Sequence, residues 1–413
     1  MPVSVRRVVN RVAGSPVAVT FLGMVVGLVI GGIIITVTTG SILDAWRGIF
    51  HSWRGLPHAI KYTFDYVGAA YRSMFEGSVV SPHLLWHLIT TGHGWVATVY
   101  PLSETLTYAT PLMIAAVGVG ITFQAGLFNI GANGQAILGA ITGGFVGVFL
   151  HLPTIALMPL TLIGAMAGGA LAGAIPGVLK SYTGAHEVIV TLMFNYVVNL
   201  FLLFTVLSTA MHLPNQGADV GRNLRPGATL SPLFGVSTGL RVNWGLAIAA
   251  GVVVFAWWLL ERSSLGFEFR VSGANPHAAQ VAGINSRKVT IVAFMISGAL
   301  AGLAGITQLS GVNHYLDGNF LIGSAGIGFT AITVSLLGRN HPIGIVWGSL
   351  LFAALGVGGR ATQAITGIPN DLAIIVEYVI VLCVATPAMI QEIFRLKAIR
   401  ASTVQLATAG WGS

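Results

Sequence analysis

The sequence has few charged residues. Asp, Glu, Lys and Arg make up only 8% of its 413 residues, and hydrophobic residues make up 54%. A soluble domain carries about 25% charged residues. A soluble globular protein is therefore excluded. Because only helices and closed barrels can span a bilayer, and the apolar runs are of helical length, we predict an all-α polytopic membrane protein.

Cysteine and known catalytic patterns are also scarce. The single cysteine, Cys383, excludes an internal disulfide and is expected to be a small packing residue. No phosphate-binding loop sequence is present, so this chain is not expected to hydrolyse ATP itself. His83 and His87 have the spacing of metal ligands but lack a third ligand. We therefore predict no catalytic residue, no metal site and no cofactor in this chain.

The net charge of +8 does not indicate a nucleic-acid partner. A nucleic-acid site needs basic residues clustered on one solvated face, and here they are dispersed along the chain.

Ten apolar runs are long enough to cross a hydrocarbon core about 30 Å thick, which takes roughly 17–25 helical residues. The runs are residues 17–39, 104–124, 132–150, 155–178, 188–208, 243–261, 289–309, 322–338, 342–358 and 372–390. The first run is too long for a signal peptide. Residues 82–102 contain three histidines between Pro82 and Pro101, and we expect them to lie outside the membrane, on its surface.

Basic residues set the orientation of a membrane protein, because they are enriched in cytoplasmic loops. With both termini in the cytoplasm, twelve of the 20 Lys and Arg residues fall in cytoplasmic segments and eight in outer ones. We predict one transmembrane domain over residues 1–413, with an extracytoplasmic segment at 41–103 and a cytoplasmic loop at 262–288. Glycines at small-xxx-small spacing, such as Gly298 and Gly302, predict closely packed helices.

Residues 273–284 predict a short, well-capped helix in the cytoplasmic loop. Asn275 suits the N-cap, Pro276 the first helical position and Gly283 the left-handed residue after the end. A two-turn helix standing alone in water is marginal, so we expect a soluble partner protein to hold it. The small side chains of Ala278, Ala279 and Ala282 would fit a shallow groove on that partner.

Two segments interrupt the apolar runs. Residues 126–135 carry Asn129, Asn133 and Gln135 among glycines, and the Gly-rich residues 323–338 turn sharply into the next run. Paired interruptions of this kind point to the pathway of a transporter. Neutral amides suit a neutral polar solute, and they would also satisfy broken backbone at a helix end.

Two further polar positions lie inside apolar runs. Asn195 and Asn199 share one helix face, where they favour either a helix contact or a place in the pathway. Glu377 is an intramembrane carboxylate and hence a functional candidate, unless it is merely tolerated near an interface. An ion-coupled secondary transporter would depend on Glu377, which keeps that class open.

In order and spacing, several motifs resemble one family over about residues 104–386. The chain resembles the permease subunits of bacterial ABC importers for simple sugars, nucleosides and branched-chain amino acids, and is nearest to the nucleoside branch of the BmpA type. The segments that carry the resemblance are 126–131, 134–135, 186–196, 273–284, 297–305 and 328–339. Two residues depart from the nucleoside branch: Asn133 replaces a common Glu, and His186 replaces the usual Asn.

The resemblance implies a transport subunit of the cytoplasmic (inner) membrane that imports nucleosides. It implies a cytoplasmic ATPase with two nucleotide-binding domains that binds ATP and Mg, an extracytoplasmic substrate-binding lipoprotein, and a second, related permease. A simple sugar or a branched-chain amino acid is the alternative solute. The residues expected to couple to the ATPase are Gly273, Asn275, Pro276, His277, Ala278, Ala279, Ala282, Gly283, His186 and Glu187. The candidate residues of the solute pathway are Phe128, Asn129, Asn133, Gln135, Asn195, Thr330 and Thr333.

Overall fold

The computed structural model describes residues 16–47, 55–213, 219–321 and 326–385. Within these ranges the secondary structure consists of helices and three isolated β-bridges, without an extended strand. The prediction of an all-α membrane protein is confirmed.

The α-helices of these ranges are numbered in chain order. They are α1 (Pro16–Thr38), α2 (Gly40–Arg47), α3 (Leu56–Ser78), α4 (Pro82–Thr91), α5 (Trp95–Gln124), α6 (Ala132–Phe149), α7 (Thr154–Thr183), α8 (Glu187–Leu207), α9 (Gly245–Arg262), α10 (Ser264–Ala274), α11 (Pro276–Val281), α12 (Ser286–Gln308), α13 (Ile327–Leu337), α14 (Pro342–Thr366) and α15 (Asn370–Ala385). A π-helical turn, Leu309–Asn313, continues α12.

Eight of the ten predicted spans coincide with helices that are long and apolar enough to cross a membrane. Seven are single helices of the described residues, and the eighth is the bent pair of α1 and α2, which turns by 72°. The predicted span 322–338 is wrong as a full crossing, because α13 has only 11 residues and extends about 16 Å. The predicted span 372–390 coincides with α15, and its last residues lie outside the described ranges.

The segment 82–102 divides into two parts rather than lying as one piece on the surface. The helix α4 contains no buried residue, as expected of a surface segment. The helix α5, however, begins at Trp95 and includes Pro101, so the predicted start at residue 104 is wrong. The break falls instead at Gly92 and Gly94, whose φ angles of +71° and +85° glycine adopts readily.

The chain divides into two compact units, one formed by residues 1–71 and 362–413 and the other by residues 72–361. In the first unit α1 packs against α15. Leu22 and Val26 contact the buried Cys383 there, which confirms that this cysteine is a packing residue. The assignment of residues 1–413 to a single permease domain stays a prediction.

In the second unit, α6, α7 and α12 pack closely through glycines. A Cβ atom on Gly139 would overlap the backbone of Gly302, and one on Gly169 would overlap the carbonyl oxygen of Gly298. Small residues allow helix backbones to approach in this way. The close packing predicted from the glycine spacing is therefore confirmed.

Candidate functional site

The loop between α5 and α6 folds back into the helix bundle. Gly126 has a φ of +72°, and the next amide, of Leu127, donates to the carbonyl of Thr122 at 2.9 Å. The loop then reaches Ser297, which lies about 16 Å along α12 from its first residue. The helix α6 therefore begins within the bundle rather than at its surface.

A closed network of amides holds this loop. The Asn129 side-chain amide donates to Gln135 Oε1 and to Ser297 Oγ, at 2.9 Å each. Asn129 Oδ1 accepts from the Gly131 amide at 3.0 Å and from Gln135 Nε2 at 3.2 Å. The side chains of Asn129 and Gln135 are completely buried. Their polar atoms form hydrogen bonds with protein groups. Irregular backbone in an apolar surrounding requires such partners, because no water is available there.

Asn195 joins the same loop from α8. Its Oδ1 accepts from the Gly134 amide at 2.8 Å, and its Nδ2 donates to the carbonyl of Ile130 at 2.9 Å. The first amides of a helix have no partner within the helix itself. Asn195 supplies that partner for the first turn of α6, so the predicted helix contact is observed, and a place of Asn195 in the solute pathway stays a prediction.

Asn133 connects the two interrupted segments that the sequence singled out. Its Nδ2 donates to the carbonyl of Leu321 at 3.2 Å, and its Oδ1 accepts from the Gly328 amide at 3.3 Å. A Cβ atom on Gly328 would overlap the backbone of Asn133. The first turns of α6 and α13 therefore meet inside the bundle. We call this meeting point, formed by residues 126–135 and 326–328 with Asn195, the helix junction.

The other predicted pathway residues lie around the helix junction. Phe128 is 46% exposed, and its ring meets the edge of Phe123 with centroids 4.8 Å apart. Thr330 is buried and lines a pocket at the start of α13. Thr333 Oγ1 donates to the carbonyl of Phe329 at 3.4 Å. Asn129 and Gln135 thus contact each other directly, whereas Asn195 and Asn133 reach the helix junction through backbone groups of Ile130, Gly134 and Gly328.

The predicted cytoplasmic helix is present as α11, and its caps are confirmed. Asn275 Oδ1 accepts from the amides of His277 and Ala278 at 3.0 and 3.1 Å. Pro276 occupies the first helical position, and Gly283 has a φ of +79°.

The exposed face of α11 differs in part from the expectation. Ala279 is completely buried, whereas Ala278 and Ala282 are exposed as predicted. Val281 is 91% exposed on the outer side of the helix. Ala279 therefore packs the helix onto its own chain and cannot enter a partner's groove, and Val281 is the apolar residue available to a partner.

A glycine contact joins the base of α11 to the helix junction. A Cβ atom on Gly273 would overlap the carbonyl oxygen of Gln124, and one on Gly126 would lie 3.0 Å from the Cα of Gly273. Sequence reasoning named Gly273 as a coupling residue and placed Gly126 in the interrupted loop without connecting them. Only the fold brings these two glycines together.

The turn between α7 and α8 approaches the start of α12. Glu187 forms an ion pair with Lys180 at 2.5 Å, and His186 occupies the N-cap position of α8. Nearby, the guanidinium of Arg287 lies 5.3 Å from the ring centroid of Tyr182. The end of α7, just before the turn that carries His186 and Glu187, therefore contacts the start of α12.

The fold therefore shows a polytopic helical membrane protein in which two helices meet by their first turns inside the bundle and a short capped helix is exposed. Residues 102–385 match a family described as the permease component of the branched-chain amino acid transport system. The chain belongs to this family of permeases, which confirms the resemblance seen in the sequence.

Several curated proteins are similar to the chain over most of its length. It is 35% identical to the guanosine ABC transporter permease protein NupP of Bacillus subtilis, over 71% of this chain and 83% of that protein. It is 34% identical to the nucleoside ABC transporter permease protein NupB of Lactococcus lactis, over 73% and 84%. The glucose ABC transporter permease protein TsgB13 of Haloferax volcanii is also 34% identical, over 70% and 76%.

The same two bacteria each have a second, more distant relative. NupQ of Bacillus subtilis is 27% identical over 68% of this chain, and NupC of Lactococcus lactis is 25% identical over 68%. No solved structure matches the chain.

Proposed function

We propose that this chain is the permease subunit of an ATP-driven importer that takes up nucleosides. The observation that carries the proposal is the 35% identity to a guanosine permease, over 71% of the chain. The uncharged amides of the helix junction agree with a neutral, polar solute. Asn129, Asn133, Gln135 and Asn195 would then hold the broken backbone beside the pathway, while Phe128, Thr330 and Thr333 border it.

A cytoplasmic ATPase would bind α11. In support, His277, Ala278 and Val281 are exposed on this helix, and a helix of two turns is only marginally stable unless other groups hold it. The ATPase would bind ATP and Mg, so this chain would need no cofactor. Movement of α11 would reach the helix junction through the contact between Gly273 and Gly126.

A second, related permease and an outer substrate-binding lipoprotein would complete the importer. The pairs NupP with NupQ and NupB with NupC support the second permease, because each bacterium has two relatives of this chain that are permeases for the same solute. The assembly would lie in the cytoplasmic (inner) membrane, with both termini and α11 on the cytoplasmic side.

A sugar is the second candidate solute, because the glucose permease of Haloferax volcanii is nearly as similar to this chain as the nucleoside permeases. The side chain of Glu377, on which an ion-coupled transporter would depend, lies outside the described part of the structure.

Reconstitution tests the proposal. The purified complex of this chain, the second permease and the ATPase is placed in proteoliposomes with the binding protein, and uptake of labelled guanosine is measured with and without ATP. We expect uptake only with ATP, and competition by other nucleosides but not by glucose, ribose or leucine. Uptake driven by an ion gradient alone would reject the ABC mechanism. Competition by glucose would indicate that the chain transports a sugar instead.

A further inference from the structure

A small pocket opens between α5, α13 and α14 in the second unit. Its volume is about 120 Å³, and its walls include Tyr108, Leu112, Ile327, Thr330, Phe352 and Arg360. Two of these residues, Ile327 and Thr330, belong to the first turn of α13, which Asn133 holds at the helix junction. The pocket therefore borders the helix junction directly.

The pocket lies toward the end of the bundle opposite α11. Gln124 Nε2 donates to the carbonyl of Asn340 at 3.2 Å, so the end of α5 and the start of α14 share one level. From that level Tyr108 lies about 24 Å along α5, and Arg360 about 27 Å along α14. Because Gly273 packs against Gln124, α11 is at the lower end and the pocket is in the upper half.

Arg360 and Tyr108 form the upper wall of the pocket. The guanidinium carbon of Arg360 lies 4.1 Å from the ring centroid of Tyr108, a cation–π arrangement. Arg360 is exposed, and no ion pair among the described residues includes it. Stacking occupies the face of a guanidinium, whereas its N–H donors point outward in its plane. Within the described part of the chain no carboxylate takes up these donors, which leaves them to a ligand or to water.

The chemistry of these walls suits a flat ring that bears hydrogen-bond acceptors. Phe352 and Leu112 offer apolar surface, Tyr108 offers an aromatic ring, and Arg360 offers a planar set of donors. A purine with an oxygen at C6 presents two acceptors side by side, O6 and N7, which a guanidinium can bind together. Adenine presents a donor at N6 instead and cannot make the same pair of hydrogen bonds.

We propose that this pocket binds the base of a 6-oxopurine nucleoside, with Arg360 donating to O6 and N7. The inference rests on the proposed function, because it takes a nucleoside as the solute. Pockets that enclose a whole small molecule have volumes of about 300–1,000 Å³. At about 120 Å³ the pocket holds a base but not the attached sugar, which would extend out of the pocket.

Uptake of matched nucleosides tests the proposal. Inosine and adenosine differ at C6, where one has an oxygen and the other an amino group. In proteoliposomes that contain the complete importer, the initial rates of uptake are compared for the native chain, Arg360→Gln and Arg360→Lys. We expect both substitutions to lower the ratio of inosine to adenosine uptake, Arg360→Gln by about tenfold and Arg360→Lys by less, since each good bidentate pair contributes roughly 1–3 kcal/mol of discrimination and a lysine can still donate to O6 and N7.

Two further variants serve as controls. Arg72→Gln removes an exposed arginine, paired with Glu76, that lies outside the pocket and should leave the ratio unchanged. Tyr108→Phe keeps the aromatic face and should retain most of the uptake, whereas Tyr108→Leu should lower the ratio as the Arg360 variants do. Elution as a single species and co-purification with the ATPase are measured for every variant.

The outcomes separate this inference from the proposed function. If the native importer takes up no nucleoside, the proposed function fails first. If the native importer is active but Arg360→Gln leaves the ratio of inosine to adenosine uptake unchanged, the pocket does not recognise the base. An equal loss for both solutes likewise overturns the inference, because Arg360 would then stabilise the fold or a transport step rather than select the ring.

Discussion

Individual amide side chains determine whether the helix junction can exist in an apolar bundle. Asn129 takes part in four hydrogen bonds, with Gln135, Ser297 and the Gly131 amide. A buried polar group that loses its partner costs about 1–3 kcal/mol. The interpretation of Asn129 as a solute contact and its interpretation as a support for broken backbone are compatible. The observed contacts show the second of these roles.

Substitution of Asn129 should therefore affect stability before it affects selectivity. In Asn129→Leu the amide of Gln135 keeps its burial but loses its partner, and we expect the free energy of unfolding to fall by about 2 kcal/mol or more. Thermal unfolding of the purified chain in detergent measures this loss. Asn223→Leu, at an exposed position, is the matched control and should change the midpoint little. Equal midpoints for the two variants would contradict the structural role.

The helix α11 is the predicted binding site of the ATPase, and the contact between Gly273 and Gly126 connects its base to the helix junction. The structure assigns different roles to neighbouring residues of α11, because Ala279 is completely buried and Val281 is 91% exposed. Helical periodicity allowed several faces of α11 to point outward, and only its packing against α10 and α12 decided which one does.

Charge on the exposed face of α11 should disrupt ATPase binding and leave the fold intact. We expect Val281→Glu to abolish co-purification of the ATPase while the chain still elutes as a single species. Val236→Glu, at an 83% exposed valine elsewhere in the chain, is the matched control and should retain the ATPase. Ala279→Arg should instead yield misfolded chain, because no space is available for the side chain. Retention of the ATPase by Val281→Glu would exclude α11 as its binding element.

The close contact of Gly273 with the end of α5 predicts the effect of replacing this glycine. Gly273→Ala should lower the unfolding midpoint and the ATP-dependent uptake, since its Cβ would overlap the backbone at Gln124. Gly251→Ala, within α9 and with no atom within 4 Å of the added carbon, should be neutral or stabilising, because alanine is favoured over glycine in a helix by up to about 1 kcal/mol. Unchanged uptake in Gly273→Ala would show that this contact does not transmit movement.

At the scale of the whole molecule, orientation in the membrane follows from the distribution of basic residues. The prediction places α11 in the cytoplasm and the loop before α9 outside. Because Cys383 is the one cysteine, a Cys383→Ala chain provides a clean background for labelling.

Cysteine labelling tests this orientation. With a maleimide that cannot cross membranes, we expect Val236→Cys to be labelled in intact cells and Val281→Cys only after the cells are permeabilised. Both positions are highly exposed, at 83% and 91%, so access to the label depends on the side of the membrane. The reverse pattern would invert the topology and exclude α11 as a cytoplasmic coupling helix.

Composition, run length and capping residues determined much of this protein by themselves. The all-α class, eight of the spans and the caps of α11 follow from local properties: apolar length, helix propensity and the hydrogen-bond needs of helix ends. The same local rules misplaced the start of α5, because Pro101 is tolerated within a helix that continues on both sides of it.

The helix junction and the pocket depend on contacts between segments that are far apart in the chain, and local sequence patterns do not predict such contacts. Asn133 joins α6 to α13 across more than 180 residues, as its hydrogen bonds to Leu321 and Gly328 show. The contacts of Gly126 with Gly273 and of Tyr108 with Arg360 have the same origin. The sequence alone determined that this is a membrane permease with two interrupted segments and a short, capped helix outside the long apolar helices. Only the tertiary structure decided that the interruptions meet and that a pocket lies beside them, because both arise from close packing between helices far apart in the chain.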